Sequence, residues 1–285
     1  MKIDFLKNKY DKALSIDCLK IDQHKGLILD DRPFYATFYE SIFITEGRGV
    51  FKLDNETIPF APGTILLLPP NGWRHWKEVH TKVNGYFLVF EEEFIAQFFN
   101  DALYLYRFHF FNNTHTPSFV EFDLPSFQAV ITKLDEIQQE INSLKSDSEH
   151  LLRSLLYYLL ILINRKYEAT FALKGSYFQD TLTLRFRKLL EENIRTHHQV
   201  NDYAQMLQVS RSHLNKVLKS HFGKSCSALI KERLLVEIKK ELAFSTKTIA
   251  EISFELHFSE PANFIRFFQT TTGLSPKAFR QQNAK

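Results

Sequence analysis

The residues best suited to chemistry lie near the C-terminal end, where two helix-like stretches present polar groups at the same spacing. At about 100° per residue, Leu214, Val217 and Leu218 share one side of the first stretch. That leaves Arg211, Ser212, Lys216 and Lys219 facing outward, with Asn215 at the flank. In the second stretch Phe264, Phe267 and Phe268 form the inner side, and Ala262, Arg266 and Gln269 point away with Asn263 beside them. Arg and Lys donate to guanine O6 and N7, and Asn or Gln can pair with adenine, so such a face suits the major groove of double-stranded DNA. Either stretch taken singly is more often an ordinary amphipathic surface helix. Two copies at matched spacing favour DNA.

An internal repeat positions these groups. Tyr203-Ala204-Gln205-Met206-Leu207-Gln208-Val209-Ser210 matches Ile252-Ser253-Phe254-Glu255-Leu256-His257-Phe258-Ser259 at an offset of 49 residues. Beyond that turn the offset is 50, pairing Leu214 with Phe264, Lys216 with Arg266, and Phe222-Gly223 with Thr272-Gly273. Each unit is a short helix, a tight turn, a second helix opened by a Ser N-cap, and a Gly stop, which is a helix-turn-helix. The charge agrees. Residues 1–174 carry 19 Lys+Arg against 23 Asp+Glu, whereas residues 175–285 carry 17 against 10, a basic excess suited to a polyanion.

The remainder of the chain reads as a separate domain. The whole chain's 285 residues, 44% hydrophobic and rich in Phe, are enough for two cores. Short β-rich runs at 34–45, 50–53, 57–60, 64–68 and 83–90, broken by Gly, Pro and Asn, indicate a sandwich or barrel. Helices are expected over Phe127–Leu144 and Glu149–Arg165, and residues 166–178 form the interdomain joint. The second of these helices is apolar nearly all round, with Leu151, Leu152, Leu155, Leu156, Leu159, Leu160 and Ile163. Such a helix is either core on two sides or the seam of a homodimer, and the dimer is the expectation. Tyr39, Trp73, His75, Trp76 and Tyr86 are the candidate effector-binding groups, an apolar lining with polar anchors.

Other chemistries find little support. His75, Glu78 and His80 are the one local set of metal-ligand types, and on a strand His75 would point opposite to the other two, so no metal is expected. Cys18 and Cys226 lie at no metal-ligand spacing and imply a reducing compartment. The N-terminal segment lacks an apolar signal core, and Leu151–Ile163 is too short to span a bilayer, so a cytoplasmic protein without membrane attachment is expected.

Residues 180–282 resemble the DNA-binding domain of the AraC/XylS family of bacterial regulators. The stretches carrying the resemblance are Ile249-Ala250-Glu251-Ile252, Phe258-Ser259-Glu260-Pro261-Ala262-Asn263-Phe264, Arg266-Phe267-Phe268 and Thr272-Gly273-Leu274-Ser275-Pro276-Lys277-Ala278-Phe279-Arg280. The long stretch Ser227–Leu242 fits the family's connecting helix. The resemblance implies seven helices, with the connecting helix holding both units so that they read one face of the duplex. Two departures stand out. The family's turn glycine is replaced by His257, which must then adopt the turn conformation, and Glu241 stands where an apolar residue is common. Glu46-Gly47-Arg48-Gly49, Ala61-Pro62-Gly63-Thr64 and Leu66–Pro70 followed by His75 resemble the cupin-like sensor that often precedes this domain.

The expected architecture is therefore α+β in two domains. Residues 1–165 form a cupin-like barrel for sensing and dimerisation, with a helical connection, and residues 179–285 an all-α domain with two helix-turn-helix units. The expected function is sequence-specific transcription regulation controlled by a small-molecule effector or by dimerisation, with no cofactor, and with RNA polymerase as a further candidate partner. The rivals are a regulator without ligand, a cupin enzyme fused to a DNA-binding domain, and a repair protein, whose Pro-Cys-His-Arg site neither cysteine supplies.

Overall fold

The computed structural model describes residues 2–6, 14–23, 33–54, 56–79, 82–99, 104–112, 116–173 and 181–283. They fall into two compact units, Met1–Phe178 and Gln179–Lys285.

The first unit is built on two five-stranded sheets. One has the order β1 (Lys2–Ile3), β3 (Phe34–Ala36), β8 (Trp73–Lys77), β5 (Gly49–Leu53), β6 (Glu56–Phe60). The other runs β10 (Phe119–Glu121), β7 (Thr64–Leu68), β4 (Tyr39–Glu46), β9 (Asn84–Phe90), β2 (Ile16–Lys20). Side chains alternate across β4. Ile42 and Ile44 join a core with Phe51, Phe60, Leu66 and Trp76, while Tyr39 and Phe43 join a second core with helical residues. Strands buried on both faces read as unbroken apolar runs, which is why β7 is buried throughout.

The run expected over 34–45 is broken at Thr37-Phe38, with β3 in one sheet and β4 in the other. Strands β1, β2, β8 and β10 add to the expected set. Gly85, at φ 147°, sits where β4 and β9 shift register, and a Cβ there would meet the Phe43 carbonyl oxygen at 1.8 Å.

Among the described residues of this unit, α1 (Glu92–Phe99) and α2 (His109–Asn112) lie between β9 and β10, and α3 (Leu124–Asn142) and α4 (Ser148–Thr170) follow β10. Asp123 caps α3 by accepting from the Ser126 amide at 3.0 Å, and Pro125 stands in its first turn. Helix α4 buries Leu152, Leu156, Leu159, Leu160, Ile163 and Tyr167. Its other side is more open: Leu151 is 47% and Tyr158 50% exposed, while Leu155 and Leu162 beside them are half-buried against the core. The expected joint at 166–178 begins inside α4, and its residues 174–178 lie outside the described residues.

The second unit holds seven helices among its described residues: α5 (Thr181–Asn193), α6 (Val200–Met206), α7 (Arg211–Phe222), α8 (Cys226–Phe244), α9 (Ile249–Glu255), α10 (Pro261–Thr272) and α11 (Pro276–Asn283). The number implied by the resemblance is met. Helix α8 threads the core with Ile230, Leu234, Ile238 and Leu242, and both repeats pack onto it. Among the described residues, no helix is long and apolar enough to cross a membrane.

Candidate nucleic-acid interface and sensor interior

The two repeats build the same device by closely matched means. After α6 the turn passes through Gln208 at φ 58°, and after α9 through His257 at φ 51°. His257 thus takes the left-handed conformation that the missing glycine would have supplied. Ser210 caps α7, accepting from the His213 amide at 3.1 Å. Helices α7 and α10 both stop at a left-handed glycine: the Gly223 amide donates to Lys219 O at 3.0 Å, and the Gly273 amide to Gln269 O at 2.8 Å. The openings differ. Pro261 starts α10 behind Glu260, so the expected Ser cap is absent there, and Ser259 Oγ instead accepts from Asn263 Nδ2 at 2.8 Å.

The inner stripes are Leu214 and Leu218 in α7 and Phe264 and Phe268 in α10, all fully buried. Arg211, Ser212, Lys216 and Lys219 are exposed on one helix, and Ala262, Arg266 and Gln269 on the other. Two of the candidate readers are engaged inside the fold. Asn215 is half-buried, and its Oδ1 accepts from the Cys226 amide at 3.0 Å, holding the start of α8. Asn263 Oδ1 accepts from Arg266 Nη2 at 3.1 Å, which orients the guanidinium.

The sensor candidates are spread over three faces. Trp76 points between the sheets, edge-on to Phe51 and Phe60 at 4.9 and 5.4 Å. Trp73 and His75 alternate with it on the same strand and are half-buried on the opposite side. Tyr39 and Tyr86 lie on the helix-facing side of the other sheet. There Tyr39 stacks on Phe90, and Tyr86 donates to Asp135 of α3 at 2.6 Å. The five therefore do not line one cavity. The strand-parity argument about His75 also stops short, because β8 ends at Lys77 and Glu78 has φ 47°, while His80 lies outside the described residues. Among the described residues, no three His, Cys, Asp or Glu are grouped to hold a metal.

Sequence reasoning missed a buried charged pair. Arg74 and Glu40 both point between the sheets, with Arg74 Nη1 2.9 Å from Glu40 Oε2. Arg74 Nη2 donates to Pro69 O at 2.9 Å and Phe38 O at 3.4 Å. Burial pushes the Glu40 carboxyl up and the Arg74 guanidinium down, and the attraction between them opposes both shifts. Beyond this ion pair, Arg74 Nε and the nearby Trp76 Nε1 make no hydrogen bond among the described residues. The signal was present as one acidic residue inside FYESIFIT and one basic residue between two tryptophans.

Two family models match this chain: an AraC-like ligand binding domain over residues 34–160 and a helix-turn-helix domain over residues 203–282. The chain belongs to the AraC family of transcription regulators. AraC-family chains join a ligand-binding domain to a DNA-binding helix-turn-helix domain, and this one is a ligand-regulated, sequence-specific DNA-binding regulator. It is similar to the Msm operon regulatory protein of Streptococcus mutans serotype c, 25% identical over 88% of this chain and 86% of that protein. It is also similar to the lactose operon transcription activator of Staphylococcus xylosus, 23% identical over 86% and 85%. The chain is similar in fold to the crystal structure of ToxT from Vibrio cholerae O395, with a TM-score of 0.50 at 15% identity over 94% of this chain and 97% of that one.

Proposed function

We propose that this regulator reads DNA with the exposed faces of α7 and α10, working by binding and not by catalysis. The observation that carries this reading is the match between Lys216 and Arg266, exposed at equivalent positions on helices with the same turn and the same glycine stop. Arg211, Ser212, Lys219, Ala262 and Gln269 complete the two faces, and Asn263 serves by orienting Arg266. The site of action is the cytoplasm, with RNA polymerase as a further partner at the operon. The test is selection of preferred sites from random DNA by wild type, Lys216→Ala and Arg266→Ala. Each substitution relaxes base preference in one half of the site, and unchanged preferences in both would remove α7 and α10 as readers.

The effector is a polar small molecule of the carbohydrate class, held between the sheets by Glu40, Arg74 and Trp76. Buried donors without a hydrogen bond call for an occupant such as water or ligand, and this interior has two, Arg74 Nε and the indole Nε1 of Trp76, beside the Glu40–Arg74 pair. A relative named for the lactose operon supports the class. Calorimetric titration with lactose and other small sugars tests it, alongside the double variant Glu40→Leu/Arg74→Met. Replacing a buried ion pair by apolar residues often leaves stability intact, so loss of binding without loss of melting temperature is the supporting result.

The chain pairs with a second copy through α4. Leu151 and Tyr158 are exposed seven residues apart on one side of α4, with Leu155 and Leu162 beside them partly buried against the core.

A further inference from the structure

The loop after α5 reaches into the second helix-turn-helix. Arg195 Nη1 lies 2.8 Å from both Glu237 Oε1 and Glu241 Oε1, one turn apart on α8. Its Nη2 lies 3.6 Å from Glu255 Oε2, at the last residue of α9. Lys247 completes the ring, with its Nζ 2.5 Å from Glu255 Oε2 and 3.9 Å from Glu241 Oε2. Three residues beyond Arg195, the His198 ring sits 5.3 Å from that of Phe258, which itself packs edge-on against Phe264 of α10 at the same distance. His198 is held in place by its Nε2 contact with Ile194 O at 3.0 Å. Glu241, the departure from the family's apolar habit, is a member of this ring.

Among the described residues, the apolar spine of α8 also joins the two repeats. Apolar contact is non-directional and tolerates a slide or rotation. A guanidinium is a planar fork whose bonds fix direction as well as distance. We propose that Arg195 is a positioning residue that locks the second helix-turn-helix against the first, and so sets the spacing between the half-sites the two units accept. This rests on the reading that both α7 and α10 engage DNA.

The test uses the full chain and four DNAs: the selected site, the same site with one base pair inserted or deleted between its halves, and a single half-site. Wild type discriminates sharply against the altered spacings. Arg195→Ala narrows that discrimination by roughly fivefold or more, the size of coupling expected between groups in one network, while its affinity for the single half-site stays unchanged. Arg195→Lys keeps the charge but not the fork and falls between. Glu255→Gln, at a half-exposed helix end, gives the same direction with little risk to folding. Equal weakening on all four DNAs would reveal a merely structural residue and overturn the proposal, as would unaltered discrimination in both variants. Should wild type itself bind the single half-site as tightly as the full site, the two-unit reading fails, and the proposal with it.

Discussion

Asn215, on the outward-facing helix α7, spends its side-chain oxygen on the backbone of Cys226, 3.0 Å away at the first residue of α8. The equivalent position in α10 is Ile265, which packs against the apolar core. Both repeats therefore use this flank to attach to the rest of the unit and not to face solvent.

Asn215→Ala is therefore expected to act on stability. Removing a side-chain acceptor at a helix start costs about 1 kcal/mol, visible as a lower denaturation midpoint in urea. DNA affinity then falls alike on all sequences. A change confined to one base position in a selected-site profile would instead make Asn215 a reader.

Arg266→Ala is expected to cost roughly 1–3 kcal/mol on the preferred site if it makes a bidentate guanine contact. Asn263→Ala should give a smaller loss at the same base position, since Arg266 keeps its charge but loses its guide. Lys219→Ala should weaken all sequences equally and lower the slope of log affinity against log salt by about 1, as a phosphate contact does. Affinities measured at three salt concentrations on matched and mismatched duplexes separate these behaviours.

The dimer is tested on the outer stripe of α4. Leu151→Glu with Tyr158→Glu is expected to give soluble, folded monomers by sedimentation, because both side chains are about half exposed in the single chain. Leu159, by contrast, is fully buried, and a charge there would unfold the unit regardless of pairing. A wild-type chain sedimenting as a monomer at micromolar concentration would leave the stripe without a dimer role.

These cases show what the sequence could and could not make legible. The helix-turn-helix repeats were plain because every signal in them is local: apolar spacing, turn and glycine stop. Burial on α4 was not, since leucines on both its faces look alike until the sheet beneath it is known. Strand β8 stayed outside the expected set because one of its two inward residues is Arg74, whose partner Glu40 lies on a distant strand. Tyr39 and Tyr86 looked like pocket residues, yet the strand pleat turns them toward the helices, a matter of parity that depends on which sheet each strand joins.

Acid should loosen the second unit through Glu237. Burial alone would raise this carboxyl, but the charges of Arg233, Lys240 and Arg195 outweigh it and hold the group below the usual range. A carboxylate with a depressed folded value stabilises fully above its unfolded value, about 4.3, and that contribution is lost as pH falls through the folded one. Glu237→Gln is expected to cost about 1.5–3 kcal/mol at pH 7, the range for hydrogen bonds to charged groups. The gap between wild type and variant should close as pH drops below the ordinary carboxylate value. A gap constant from pH 7 to pH 3 would mean that the Glu237 charge contributes nothing.

The turn at His257 offers a test of backbone strain. At φ 51° this residue occupies a region that glycine enters without penalty and that L-residues generally pay to occupy, β-branched ones most of all. His257 is exposed, so its side chain leaves little packing to lose on substitution. His257→Gly should therefore leave stability level or slightly raised, the relief of strain being offset in part by the greater freedom of glycine in the unfolded chain. His257→Val should lose roughly 1–2 kcal/mol. Because Gln208 at φ 58° makes the equivalent turn, Gln208→Gly and Gln208→Val should follow the same order. Thermal unfolding of the four variants checks both turns at once. Valine variants as stable as the glycine ones would show that the turns relax at no cost, and that the left-handed conformation imposes no demand on the residue placed there.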